Sequence, residues 1–407
     1  LPRFTDNSMQ GLEGTFSCNT SDYVKEGTLS QVWEGRGRVL AATYTPSRTQ
    51  LAIKIFDLEK CTDDFDLIQH EACMLREVRH PNLLFMQGSL SVSEEAWLLL
   101  PQQLCSVAAL LHSRYTTGLP ELAIAVIIRD VLLALQYLHS RSVIHRGVQA
   151  RHILLSTTGR AVLSGLRHSI HHRKSGGNMH QYPRYPSTLL NWASPEMLHQ
   201  DLRGYSYPSD VYSLGLTTCE MGNAEPPYQH LQPTLMMVEK LRGLVPFLHD
   251  ASNTRAAESS LHSSSNSLAS NGGLHLSTGG EAAASSNNCS NNSDNNSDTS
   301  SSKVAAQQQR HFTAAAHQFV RRTLALDPHQ RPTVQQLLTG DTFVRQAKKA
   351  GHPPALLSLL HLTAAVAAEI TTAVTEDEEE EGGGGQELEN SLSRVVIHDT
   401  SWSFEVA

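Results

Sequence analysis

Apolar side chains wrap most of the circumference of the helix written by residues 121–139, from Glu121-Leu122-Ala123-Ile124-Ala125 to Tyr137-Leu138-His139. A helix that is apolar all round has to be enclosed by other elements. The chain has 407 residues, room for one two-lobed domain with tails or for two or three ordinary domains. The helix delivers the chain to His145-Arg146-Gly147-Val148-Gln149-Ala150-Arg151-His152-Ile153-Leu154-Leu155. Four further landmarks follow in order: Leu163-Ser164-Gly165-Leu166-Arg167, Ala193-Ser194-Pro195-Glu196, Asp210-Val211-Tyr212-Ser213-Leu214-Gly215, and Asp327-Pro328-His329-Gln330-Arg331-Pro332-Thr333.

In order and separation these landmarks resemble those of a protein kinase. The first has the frame of the catalytic loop H-R-D-x-K-x-x-N, in which Asp takes the substrate hydroxyl proton and Asn holds magnesium. Here those positions are Gly147 and His152, and the Lys position is Gln149. The metal-binding D-F-G falls on Gly165-Leu166-Arg167, with every letter changed. Ser194-Pro195-Glu196 resembles A-P-E, with Arg331 as the expected ion-pair partner of Glu196. Asp210 opens the helix that supports the catalytic loop from below. The scaffold anchors Arg146, Glu196, Asp210 and Arg331 are kept while the catalytic groups are lost.

Upstream, Tyr23 to Leu58 reads as short β runs, and Leu51-Ala52-Ile53-Lys54-Ile55 resembles V-A-I-K, whose Lys grips nucleotide phosphates and pairs with a Glu on the next helix. That helix is expected over Ile68–Val78, ending before His80-Pro81-Asn82, with Glu71 as the partner. The glycine-rich loop is degraded: Val39 keeps the valine position, but the three glycine positions are Val32, Glu34 and Gly37. Side chains then stand where backbone N–H groups would approach phosphate. A nucleotide site would comprise Gly37, Val39, Lys54, Glu71 and, at the hinge, Leu100 and Gln103.

A net charge of −8 argues against a general nucleic-acid or acidic-membrane binder. Six cysteines without C-x-x-C spacing indicate neither a zinc site nor a disulfide framework, and a reducing compartment is the natural reading. Residues 355–374 are near membrane-spanning length but carry His361 and Glu369, so an amphipathic helix packed on the domain, or a mobile segment, is expected instead. His168, His171 and His172 are read as a basic, solvent-exposed loop rather than a metal site. Residues 1–22 are expected as a flexible tail and 23–350 as the kinase-like domain. A Ser/Asn-rich insertion over 251–303 interrupts it, with too little apolar surface to offset its ordering. Residues 351–407 form the C-terminal tail, ending in Trp402-Ser403-Phe404-Glu405-Val406-Ala407.

Leu163-Ser164-Gly165-Leu166-Arg167, His145-Arg146-Gly147-Val148-Gln149-Ala150-Arg151-His152-Ile153-Leu154-Leu155, Glu121-Leu122-Ala123-Ile124-Ala125 and the terminal Trp402-x-Phe404 together resemble the STRAD pseudokinases, relatives of the sterile-twenty kinases. The resemblance implies an α+β, two-lobed fold with a small β-rich N-lobe and a larger helical C-lobe. It implies a non-enzyme that activates liver kinase B allosterically, together with a helical-repeat scaffold of the mouse protein twenty-five type. That scaffold would be gripped by Trp402 and Phe404, although this tail runs three residues further than the family's W-E-F ending. ATP without magnesium, no resident metal, and a cytoplasmic and secondarily nuclear location complete what it implies. Residual phosphotransfer through Lys54, or a pure ATP sensor, stand as alternatives.

Overall fold

The computed structural model describes residues 16–32, 36–61, 64–172, 178–182, 187–200, 203–251, 310–351 and 355–370. They group into two units. One holds the residues up to Val78, Leu84–Cys105 and the stretch from Thr363; the other holds Arg79–Leu83 and Ser106–Leu362.

The N-terminal unit is built on a five-stranded antiparallel sheet in the order β1-β2-β3-β5-β4. Its strands are β1 (Tyr23–Val32), β2 (Gly37–Tyr44), β3 (Thr49–Asp57), β4 (Gly88–Val92) and β5 (Glu95–Pro101), with helix α1 (Phe65–Glu77) between β3 and β4. In β3 the alternate residues Leu51, Ile53 and Ile55 join Tyr23, Leu40, Tyr44, Trp97 and Leu99 in one buried cluster. The period of two therefore sends Lys54 to the opposite face. Helix α1 starts three residues earlier than the sequence suggests, and its extended C-cap Val78 fits the approach to Pro81.

Residues 16–22, expected as part of a flexible tail, are fixed to this sheet. The Phe16 ring meets Tyr44 edge-on at 5.0 Å. The Ser17 amide donates to the Tyr44 hydroxyl at 3.0 Å, and the Tyr23 hydroxyl donates to the Ser17 carbonyl at 2.7 Å. Two aromatics that need a cover and two hydroxyls that need partners hold the segment in place.

The chain passes to the C-terminal unit through β6 (Cys105–Ser106) and α2 (Val107–Ser113), the latter capped by the Ser106 hydroxyl. Helix α3 (Glu121–Ser140) follows. It is the one described helix long and apolar enough to cross a membrane, and it is mostly buried within the protein. It packs on short strands and on the later helices, which is the enclosure its sequence demands. Next come β7 (Val143–Ile144), β8 (Ile153–Leu155), β9 (Ala161–Leu163) and β10 (Ile170–His171), paired β8 with β9 and β7 with β10. Helices α4 (Ser187–Leu190), α5 (Pro195–His199), α6 (Pro208–Asn223), α7 (Pro233–Leu241), α8 (Ala314–Thr323), α9 (Val334–Gly340), α10 (Thr342–Gln346) and α11 (Ala355–Leu359) complete it.

Helix α6 is buried along almost its whole length. At Gly215 a Cβ would lie 2.4 Å from the Thr323 hydroxyl, so glycine is what lets α6 and α8 approach. Of residues 355–374, the described part, 355–370, is not one long helix: α11 ends at Leu359, and His361 takes a positive φ of 46°. The polar insertion falls largely in 252–309, outside the described residues. Its two stems are joined, because the Ala251 amide donates to the Arg310 carbonyl at 3.0 Å. The Arg310 guanidinium then donates to the carbonyls of Thr117, Leu119 and Gly222.

Candidate functional site

In the N-terminal unit, register places Lys54 opposite Val39 on β2 and Leu98 on β5. Helix α1 buries Ile68, Glu71, Met74 and Leu75, one face at helical spacing, and so carries Glu71 inward. Lys54 Nζ lies 2.7 Å from Glu71 Oε1 and 2.9 Å from Oε2, with little of either side chain exposed. Gly37 pairs with Val32 across the β1–β2 hairpin, where a Cβ would lie 2.9 Å from the Ile55 carbonyl oxygen; Glu34 lies outside the described residues. Leu100 is buried at the end of β5. Beyond it, Gln103 Nε2 donates to the Pro101 carbonyl at 3.0 Å. The side-chain oxygens of Gln87, Gln102 and Gln103 are buried without a hydrogen-bond partner.

In the C-terminal unit the organising group is Asp210, in the first turn of α6 and fully buried. One carboxylate oxygen accepts from the Arg146 amide at 2.8 Å; the other accepts from the His145 amide at 2.9 Å and from His139 Nε2 at 2.8 Å. Burial pushes the Asp210 carboxyl upward, but His139 and His145 outweigh it, and the net value lies below the usual carboxylate range. Arg146 takes a positive φ of 62°. Its guanidinium donates to the carbonyls of His168, Ser169 and Gln181 and, at 2.9 Å, to the Tyr205 hydroxyl. His145 Nε2 donates to the Ser164 carbonyl at 2.9 Å, which fixes the tautomer, and its Nδ1 accepts from the Gly147 amide at 3.2 Å.

Glu196 and Arg331 form a two-pronged pair at 2.6 and 2.8 Å. The guanidinium, its side chain fully buried, also donates to the carbonyls of Ala325, Leu326 and Pro208 and lies over the Tyr212 ring. Ser209 Oγ donates to Glu196 Oε1 at 2.7 Å. Burial raises the Glu196 carboxyl, yet the hydrogen bonds and charge of Arg331, with Ser209, carry it below its ordinary value.

The three positions where a kinase holds its base and metal ligands lie together around one imidazole. His152 Nδ1 donates to the Gly147 carbonyl at 2.6 Å, and the side-chain nitrogen of Gln149 lies 3.4 Å from Nε2. Desolvation, only partly opposed by the bond to Gly147, brings the His152 pKa down to about 3, so the ring is neutral near pH 7. Gly165 has φ 82°, and a Cβ there would lie 2.5 Å from the His152 ring. This donor set does not fit magnesium, which takes oxygen ligands in octahedral array. Two glycines bring no carboxylate, and the Nδ1 of the imidazole is held by a carbonyl.

Two participants escaped the sequence reading. Lys240 is fully buried, and its Nζ donates to the carbonyls of Leu190, Asn191 and Ala193, pinning the segment before Glu196. Burial brings its pKa down to about 7. The available signal was spacing, since Met236 and Lys240 fall on the buried stripe of α7. Glu220, buried in α6, accepts from the Ala150 amide and from Trp192 Nε1, and desolvation raises its pKa to about 7.

The histidine group is not the exposed loop expected. His168 is buried, and the His172 ring stacks on Tyr207 at 4.9 Å; only His171 is exposed. Among the described residues no cluster of three or more His, Cys, Asp or Glu side chains is placed to hold a metal ion. Trp402 and Phe404 lie outside the described residues.

Residues 30–343 match the family model of the protein kinase domain. A STE20-related kinase adapter protein alpha from Bos taurus is 33% identical over 313 residues, 76% of this chain and 80% of that protein. The Homo sapiens alpha protein is 33% identical over 347 residues, 84% of this chain and 77% of its own length. The Homo sapiens beta protein is 33% identical over 242 residues, 58% of each.

Proposed function

Because this chain belongs to the protein kinase domain family and, within it, to the STE20-related kinase adapters, a pseudokinase group, we propose that it is a non-catalytic adaptor that activates a partner Ser/Thr kinase of the liver kinase B type. The observation that carries this reading is the contrast within one chain. The anchors Lys54–Glu71, Asp210 with the catalytic-loop amides, and Glu196–Arg331 are all formed, while the base and metal positions hold Gly147, His152 and Gly165. Loss of a general base alone costs roughly 10²–10⁴ in rate, and loss of both metal ligands removes the charge stabilisation that phosphoryl transfer depends on. A kinase-like domain remains, and it moves a partner toward activity by the difference in its affinity for the partner's active and inactive forms. A helical-repeat scaffold of the mouse protein twenty-five type would hold both, with Trp402 and Phe404 as a tethered second contact. The complex would keep the partner kinase in the cytoplasm.

The test is reconstitution of partner kinase, scaffold and this chain in all combinations, read as phosphorylation of a partner-specific peptide. A large gain is expected only when this chain is present, reduced by Trp402→Ala with Phe404→Ala and abolished by a catalytically dead partner. Peptide phosphorylation that persists with the dead partner would show that this chain transfers phosphate itself.

A nucleotide-binding role is favoured by two further observations in the N-terminal unit, the Lys54–Glu71 pair and the unsatisfied buried oxygens on Gln87, Gln102 and Gln103. These acceptors suit the amino group of a purine, and Lys54 suits its phosphates. We therefore expect ATP to raise the melting temperature of the purified chain in the presence of a chelator. No shift at millimolar ATP would mean that no nucleotide is held.

A further inference from the structure

We infer that His152 is a positioning residue that replaces the lost metal as the pin of the catalytic loop, and that glycine at 165 is an obligate companion of its ring. The two departures from a working kinase are thus one coupled structural unit, and no single reversal undoes them. The inference concerns this chain's own packing and holds whichever partner it serves.

The geometry is specific. Gly165 stands in the left-handed region at φ 82° and ψ 36°, at the entrance to the turn Leu166–His168. A Cβ there would fall 2.5 Å from both Cγ and Nδ1 of His152 and 2.8 Å from Cε1. Contacts under about 3 Å between such atoms require something to move, and the ring has little freedom to do so. Its Nδ1–H is bonded to the Gly147 carbonyl at 2.6 Å. Its own backbone is held from both sides, since the His152 amide donates to the Gln149 carbonyl at 3.0 Å and its carbonyl accepts from the Ser164 amide at 2.7 Å and hydroxyl at 3.0 Å. One residue thus ties Gly147, Gln149 and Ser164 together, a joining of catalytic loop to the strand after it that a bridging metal makes in a working kinase. Gly147 provides an internal contrast. A Cβ there would lie 3.5 Å from His152 Nδ1 and 3.6 Å from the Gly165 carbonyl oxygen, ordinary contact distances.

The test is a set of melting temperatures on the full chain. Gly147→Ala should leave the value unchanged. Gly165→Ala should lower it by several degrees, and the drop should shrink markedly in a His152→Asn or His152→Ala background, where only the left-handed backbone strain of an L-residue remains. Equal costs of Gly165→Ala with and without the His152 ring, or equal costs at 147 and 165, would overturn the inference. A second readout is Mn²⁺ binding by electron paramagnetic resonance, which a purely structural role would not touch. Gly165→Asp with His152 intact should bind no more Mn²⁺ than the parent chain. Tight Mn²⁺ binding by that single variant would show that the ring does not exclude a metal-binding carboxylate.

Discussion

Arg331→Ala should leave the C-terminal unit barely folded, with a loss of about 3–5 kcal/mol, the range for breaking one side of a buried ion pair. That is a large share of the ~5–15 kcal/mol that holds an ordinary protein together. The reason is the number of partners served by one fully buried guanidinium: both oxygens of Glu196 and the carbonyls of Ala325, Leu326 and Pro208. Arg331→Lys should fail nearly as badly, since an ammonium cannot reproduce the two-pronged contact or the stacking on Tyr212. Glu196→Ala should cost less, because the guanidinium keeps its three carbonyls. Equilibrium denaturant unfolding of the two single variants and the double variant gives the coupling directly. A loss below about 1 kcal/mol for Arg331→Ala, the size of a surface pair, would show that this pair is not an anchor.

Asp210→Ala should destabilise the chain by about 3 kcal/mol or more, since each buried donor left unsatisfied costs about 1–3 kcal/mol and the change orphans the amides of both His145 and Arg146. Arg146 stands at a φ of 62°, a strained setting for a residue with a side chain, and Asp210 is one of the groups that hold it there. Asp210→Asn keeps one acceptor and should fall between the alanine variant and the parent. The pH dependence follows from the same carboxylates. Asp210 and Glu196 both have folded values below their ordinary ones, so their contribution is whole above the unfolded values near 4 and is lost as the pH falls toward the folded ones. The parent's melting temperature should therefore drop as the pH falls below about 5. The drop should be shallower in Asp210→Ala, which lacks one of the two groups. An equally steep drop in that variant would place the acid-sensitive group elsewhere.

The sequence by itself determined the elements and their order. The all-round apolar pattern of 121–139, the alternation in Leu51-Ala52-Ile53-Lys54-Ile55 and the spacing of the later landmarks are local or nearly so. Periods of 3.6 and 2 dictate which face each residue joins. Lys54 with Glu71, and Glu196 with Arg331, could be named as pairs before any coordinates only through the resemblance of their motifs to those of protein kinases. The departures Gly147, His152 and Gly165 were likewise visible as letters. That the His152 ring occupies the room a side chain at 165 would need was not visible. It depends on a left-handed turn and on the 2.5–2.8 Å that would separate a Cβ at 165 from the ring of a residue 13 positions earlier. The fixing of Phe16 and Ser17 to Tyr44, the burial of Lys240 on three carbonyls and the closure of the insertion's stem by Ala251 and Arg310 belong to the same class. Each joins groups distant in sequence, and each is settled by which carbonyl, ring or hydroxyl is left without a partner once the helices and strands have packed. Periodicity assigns a residue to a face; only the tertiary structure decides what waits for it there, because close packing and hydrogen-bond satisfaction are properties of the assembled chain.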